Sequence, residues 1–148
     1  MPDVKKLDES GVSGYFDTNT RIFHVHYKGT LDADTTNRAY SWLFTQGTVV
    51  GGVENIYAFI FDFTKVTKFR RDNTFATKRQ SQTAKVAVDL SRVPAALVVS
   101  NIYQEQLVLL SMKVNDVEER TKICKSHAEA MTFIELFHHN LAKKAADV

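Results

Sequence analysis

Ile56-Tyr57-Ala58-Phe59-Ile60-Phe61-Asp62-Phe63 is apolar at every position but one and holds neither glycine nor proline. A strand with one wet face would alternate apolar and polar residues. A short run that is apolar on both parities instead reads as a strand covered on both sides. It is therefore placed at the middle of a sheet, and the rest of the chain is read outward from it.

Toward the N-terminus, Tyr15-Phe16 and Arg21–Lys28 read as two strands joined by Asp17-Thr18-Asn19-Thr20, residues that favour tight turns. Side chains alternate across a strand, so Phe23, Val25 and Tyr27 are predicted to face the core and Ile22, His24, His26 and Lys28 the other side. Asp32 or Asp34 can cap a first helix to about Gln46, with Tyr40, Leu43 and Phe44 at helical spacing and Gly47 as a left-handed stop. Gly51-Gly52 then opens a loop into the central run.

Toward the C-terminus, Asp72 or Asn73 can cap a helix over 73–88 whose apolar pattern is thin. Ala95–Val99 after Pro94 reads as a strand, and Tyr103, Leu107, Leu110 and Val114 as the inner stripe of a third helix. A last short strand at Thr121–Cys124 leads into the capping box Ser126-His127-Ala128-Glu129. The final helix is predicted to run to about Ala142, with Ala130, Phe133, Ile134, Phe137 and Leu141 inward and Lys143 and Lys144 at the negative end of its dipole. Strands joined through helices pair in parallel with right-handed crossovers. The fold class is therefore α/β: one domain over 13–142, with a mixed, mostly parallel sheet of about five strands, an N-terminal antiparallel hairpin and about four helices. Residues 1–12 are read as a tail or irregular lead-in and 143–148 as a C-terminal tail.

At 148 residues the chain suits one domain, and a chain of this size buries roughly 70% of its unfolded surface. Hydrophobic residues at 44% and charged residues at 24% exclude disordered, collagenous and coiled-coil classes. The one cysteine, Cys124, rules out an internal disulfide and reads as a buried, inert cytosolic thiol. The start carries charge with no apolar run behind it, and nothing approaches ~18 uninterrupted apolar residues, so neither a secretory signal nor a membrane span is expected and the reading is cytoplasmic.

In this order of elements the chain resembles the STAS-like group typified by bacterial anti-sigma-factor antagonists, and in particular its small bacterial relatives. The resemblance spans roughly residues 14–141. It is carried by the opening hairpin with Gly29-Thr30-Leu31 before the first helix, by Phe61-Asp62-Phe63-Thr64-Lys65-Val66, and by Ser126-His127-Ala128-Glu129-Ala130-Met131-Thr132-Phe133-Ile134. It implies helices packed mainly on one face of the sheet and a regulatory, protein-binding role. The antagonists receive phosphate on a serine of an Asp-Ser-Ser-Gly motif after the aspartate-bearing strand. Here that place falls on Arg70-Arg71-Asp72-Asn73, without a serine, and the arginines would attract an anion. Thr74 is the possible substitute phosphorylation site.

The strongest local charge bias sets Lys65, Lys68, Arg70, Arg71, Lys78, Arg79 and Lys85 against the single acid Asp72. With Asn73 and Thr74 at a helix start, this segment reads as a surface for a protein partner or small anionic ligand, because free helix-end N–H groups and guanidinium forks favour phosphate or carboxylate. The plain alternative is a solvated helix face. Nucleic acid is disfavoured, since only Phe69 and Phe75 interleave the cations and net charge is only +2. His24 and His26 share a strand face but supply too few ligands for a metal. No nucleophile elbow, glycine-rich phosphate loop or other catalytic motif is present, so neither an enzyme nor a cofactor is expected. Ten phenylalanines, five tyrosines and Trp42 read first as core. They also allow a second function, carriage or sensing of a small apolar, lipid-like ligand in an internal pocket rimmed by Gly47–Asn55. The kinship of STAS-like folds with lipid-carrier domains implies the same. Self-association through a sheet face or edge is a further expectation.

Overall fold

The computed structural model describes residues 3–114 and 120–146, with the side chains at 85–86 and 111–114 outside the description, so that the expected contributions of Lys85 and Val114 lie outside the described residues. Chain order is β1 (Leu7–Glu9), β2 (Val12–Asp17), β3 (Ile22–Leu31), α1 (Ala33–Val49), β4 (Ala58–Phe69), α2 (Arg71–Ala87), β5 (Ala95–Val98), α3 (Ile102–Val114), β6 (Thr121–Cys124) and α4 (His127–Ala146). The strands form one six-stranded sheet in sequential order, antiparallel from β1 to β3 and parallel from β3 to β6. The α/β class, the opening hairpin and the four helices follow the sequence reading.

Alternation along the strands divides the core in two. Phe23, Val25 and Tyr27 of β3, Phe61 of β4 and Ala95 of β5 meet Leu43 of α1 on one face, the face that also carries α2 and α3. Ile22, Ile60, Ala96, Val98 and Cys124 point the other way, where Ala130 and Ile134 of α4 cover them. Three helices thus lie on one face and one on the other. α4 covers β5, β6 and the N-terminal ends of β3 and β4, which leaves Tyr15 and His26 exposed on the β2–β3 side.

Several boundaries differ from the sequence reading. Residues 1–12 are not a plain lead-in: β1 pairs with β2, the Lys5 N–H donates to Gln46 Oε1 at 3.0 Å, and Trp42 Nε1–H donates to the Lys5 carbonyl at 2.8 Å. The hairpin lies so close on Trp42 that a Cβ at Gly14 would stand 2.8 Å from its ring. Gly47 does not stop α1, which continues to Val49; the left-handed turn is made instead by Gly51 and Gly52, with φ of 98° and 101°. α4 extends through Lys143 and Lys144 to Ala146, so most of the expected C-terminal tail is helical.

The central strand also outruns its expected end at Phe63. Its pairing with β3 continues to Phe69 through two bulges, each placing an extra residue in β4. The extra residues keep Val66 and Phe69 on the core side while breaking the alternation that sequence patterning relies on. β5 pairs only with Phe59–Asp62, so the second half of β4 has no neighbour there. Gln104 fills that role: its Nε2 donates to the carbonyls of Thr64 at 3.1 Å and Val66 at 3.0 Å, and its Oε1 accepts from the Ser100 N–H at 2.7 Å. This corrects the stripe expected for α3. Gln104 and Val108 are inward, while Tyr103 and Leu110 are exposed: the apolar residues of α3 are not gathered on one stripe, and the hydrogen bonds of Gln104 set its rotation. Replacing Gln104 by Leu leaves two buried carbonyls without their donor and is expected to cost about 3 kcal/mol. Urea unfolding checks this, as a lower midpoint at unchanged slope.

Candidate functional site

The basic segment is not one surface. Lys65 and Lys68 lie on β4, and Lys65 lines a polar cleft of about 290 Å³ with Asp8, Glu9, His26 and Asp62, on the sheet face away from α2. Arg70 caps α2 through backbone geometry alone, two to three residues earlier than expected. Asp72 does not cap its own helix; its carboxylate accepts the Ala33 N–H at the start of α1. Asn73 is buried, so it belongs to no anion surface, and Thr74 is half-buried in the first turn. Arg71 and Arg79 are exposed on the outer side of α2, with Lys78 half-buried beside them and Phe75 exposed between. Among the described residues none of these cations pairs with a carboxylate within 4 Å.

The open sheet face carries a second arrangement that the sequence did not reveal. Tyr15, His24 and His26 stack in a row, and His127, in the first turn of α4 as expected, stacks on His24 at 5.9 Å. Ser13, His26 and Asp62 stand side by side on β2, β3 and β4, with His26 Nδ1 3.5 Å from the Asp62 carboxylate. Only pairing across three strands brings them together. Burial alone would raise the Asp62 pKa, but hydrogen bonds from His26 and from the Thr64 hydroxyl and N–H outweigh it and hold the group at about 2. No hydrogen bond joins Ser13 to His26 among the described residues, so the row lacks the nucleophile–base contact of a hydrolytic triad. No group of three or more His, Cys, Asp or Glu among the described residues could hold a metal. Cys124 is fully buried and its thiol is pushed up to about 11 by that burial. No described helix is long and apolar enough to cross a membrane.

A cavity of about 400 Å³ lies between the three-helix face of the sheet and helices α1 and α2. Its floor is aromatic: Phe59, Phe61, Phe63 and Phe69 along β4, with Tyr27 of β3. Its roof is small and polar, because the inward stripe of α2 reads Asn73, Thr77, Ser81, Ala84 and Val88 where a packed helix would present leucine or isoleucine. The thin apolar pattern of this helix in the sequence is therefore a statement about the cavity. The most exposed of the described lining residues are Phe44, Thr48, Ala87 and Val88, all near the C-terminal ends of α1 and α2, and they mark the mouth. Gly47, Thr48, Gly52 and Val53 line the same end, within the rim read from sequence.

No protein-family model matches the chain, and no curated protein matches it either. The functional reading therefore rests on this geometry.

Burial, followed by the neighbouring His127 and His26, lowers the His24 pKa from 6.5 to about 4. The unfolded chain takes up this proton near 6.5 and the folded protein does not until about 4. Stability is therefore complete above 6.5 and falls between these values, by up to about 3 kcal/mol. The Asp62 contribution is lost only lower, as pH falls from 3.8 toward 2. His24→Phe keeps a stacking ring but no proton site. Urea unfolding at about pH 7 and about pH 5 should show a smaller loss in the variant than in the wild type; equal losses would remove His24 as the cause.

Proposed function

We propose that this chain is a non-enzymatic STAS-like domain that carries or senses a small apolar molecule in the cavity between its sheet and α1–α2. The mixed sheet with three of four helices on one face is what that resemblance implies, and supports it. The observation that carries the ligand reading is the mismatch between the aromatic floor of β4 and the short side chains of α2. A cavity of about 400 Å³ with an exposed mouth and an aromatic floor either holds water against apolar surface or stands empty, and both are unfavourable. An apolar occupant offsets that cost. By proportion with a ~150 Å³ engineered cavity that accepts benzene, this one suits roughly two to three aromatic rings, not a long lipid.

The neutral fluorophore N-phenyl-1-naphthylamine is expected to brighten on binding the wild-type protein. Ala84→Leu, which extends a buried lining side chain into the space, should weaken that binding at least tenfold and raise the unfolding temperature by a few degrees, about 1 kcal/mol of filled cavity. A probe that binds both proteins alike would place its site elsewhere.

A second reading, docking of a protein partner or small anionic ligand, is supported by the exposed cations on the outer side of α2, which meet no carboxylate within 4 Å among the described residues. The same helix roofs the cavity, so a partner there would be sensitive to cavity occupancy. With polyglutamate as the probe, affinity should fall as salt rises, and Arg70→Glu with Arg71→Glu should weaken it at least tenfold. Unchanged binding would remove this surface.

A further inference from the structure

We propose that the cavity selects an uncharged molecule bearing one hydrogen-bond-accepting oxygen, of ketone, ester or amide type, which Asn73 Nδ2 and the Tyr27 hydroxyl receive; this rests on the cavity being a ligand site. Asn73 and Tyr27 are each only 4% exposed, and both line the cavity. The Thr36 hydroxyl donates to Asn73 Oδ1, which assigns that oxygen as acceptor and leaves Nδ2 as donor. Among the described residues neither Asn73 Nδ2 nor the Tyr27 hydroxyl meets an acceptor. Buried donors are almost always satisfied, and one left without a partner is costly. Two such donors in one cavity point to an acceptor that arrives with the occupant.

The surroundings place both donors in one region. Asn73 is bonded to Thr36, Tyr40 lies one turn along α1 from Thr36, and Tyr27 is within electrostatic reach of Tyr40. Burial, then Tyr40, raises the Tyr27 pKa well above 10, so the phenol remains a donor at neutral pH. Tyr40 and Ser81 also line the cavity. Leu31, Phe63 and Phe69 complete this end with apolar surface.

Charge is wrong for an acid. Among the described residues the charged side chain in the lining is Arg120, just before β6; it is within electrostatic reach of Tyr40, and its guanidinium donates to the Val93 carbonyl just before β5. Asn73 instead follows the C-terminal end of β4, at the opposite end of the parallel strands. Arg70 and Arg71 at the start of α2 do not line the cavity, so a carboxylate seated at Asn73 would be desolvated without a charged lining side chain at that end, whereas a carbonyl oxygen loses much less on leaving water.

An isosteric series displacing N-phenyl-1-naphthylamine tests this. 2-Acetylnaphthalene should bind about tenfold more tightly than 2-isopropylnaphthalene, and more tightly than 2-naphthoate. Tyr27→Phe and Asn73→Ala should each reduce the ketone affinity about threefold or more and leave the hydrocarbon affinity unchanged. Empty Tyr27→Phe should unfold at the same or a higher temperature, because its hydroxyl has no protein partner to lose. Equal affinity for ketone and hydrocarbon, tightest binding of the naphthoate, or a Tyr27→Phe variant destabilised with its ketone affinity intact would each overturn the proposal. Failure of the fluorophore to bind the wild type would overturn the cavity reading and this inference with it.

Discussion

β4 is twelve residues long and pairs with β3 along nearly all of its length, but with β5 over only four residues. That inequality shapes everything packed around it. The half of β4 beyond β5 exposes backbone carbonyls that must find donors, and Gln104 supplies them, which fixes how α3 turns its sides. The chain leaves β4 at Phe69, and α2 then runs back over the same strand with Asn73, Thr77 and Ser81 facing the phenylalanines it has just left.

The cavity follows from side-chain size at that crossing. Four phenylalanines and a tyrosine form one wall, while α2 offers an amide, two hydroxyls and small apolar groups. Elsewhere the same sheet is well filled: on its other face Ile22, Ile60, Ala96 and Val98 close against Ala130 and Ile134. The apolar cavity lies on the α1–α2 side, which also carries the exposed rim residues Phe44 and Val88. α2 thus roofs the cavity on one side and presents Arg71 and Arg79, which meet no carboxylate within 4 Å among the described residues, on the other.

Most of the architecture was legible because it rests on local signals. The two-sided apolar run at Ile56–Phe63, the alternation of Phe23, Val25 and Tyr27, and the Ser126–Glu129 capping box, in which the Glu129 N–H donates to Ser126 Oγ at 3.0 Å, each specify their element within a few residues. What was illegible depends on partners distant in sequence. The bulges that carry β4 to Phe69 need β3 as a template, and β1 needs β2 and Trp42. Asp72 and Asn73 show this most plainly: both were read as caps of their own helix, yet Asp72 serves the start of α1 and Asn73 serves Thr36. The basic segment was legible as composition only, since strand parity sends Lys65 to the opposite face from Arg71 and Arg79. The cavity had one sequence signal, the thin apolar stripe of α2, whose meaning appears only once the aromatic wall is set against it.

The central claim is that the space between β4 and α2 is an occupied site. A crystal structure of the protein purified without added ligand and held under xenon pressure tests it directly, since apolar cavities of this kind take up xenon or retain a small molecule. The account predicts density among Phe61, Tyr40 and Ala84, from xenon or from a molecule that co-purifies. A structure in which α2 has closed onto β4, with Ala84 packed on Phe61 and no density between them, would contradict it.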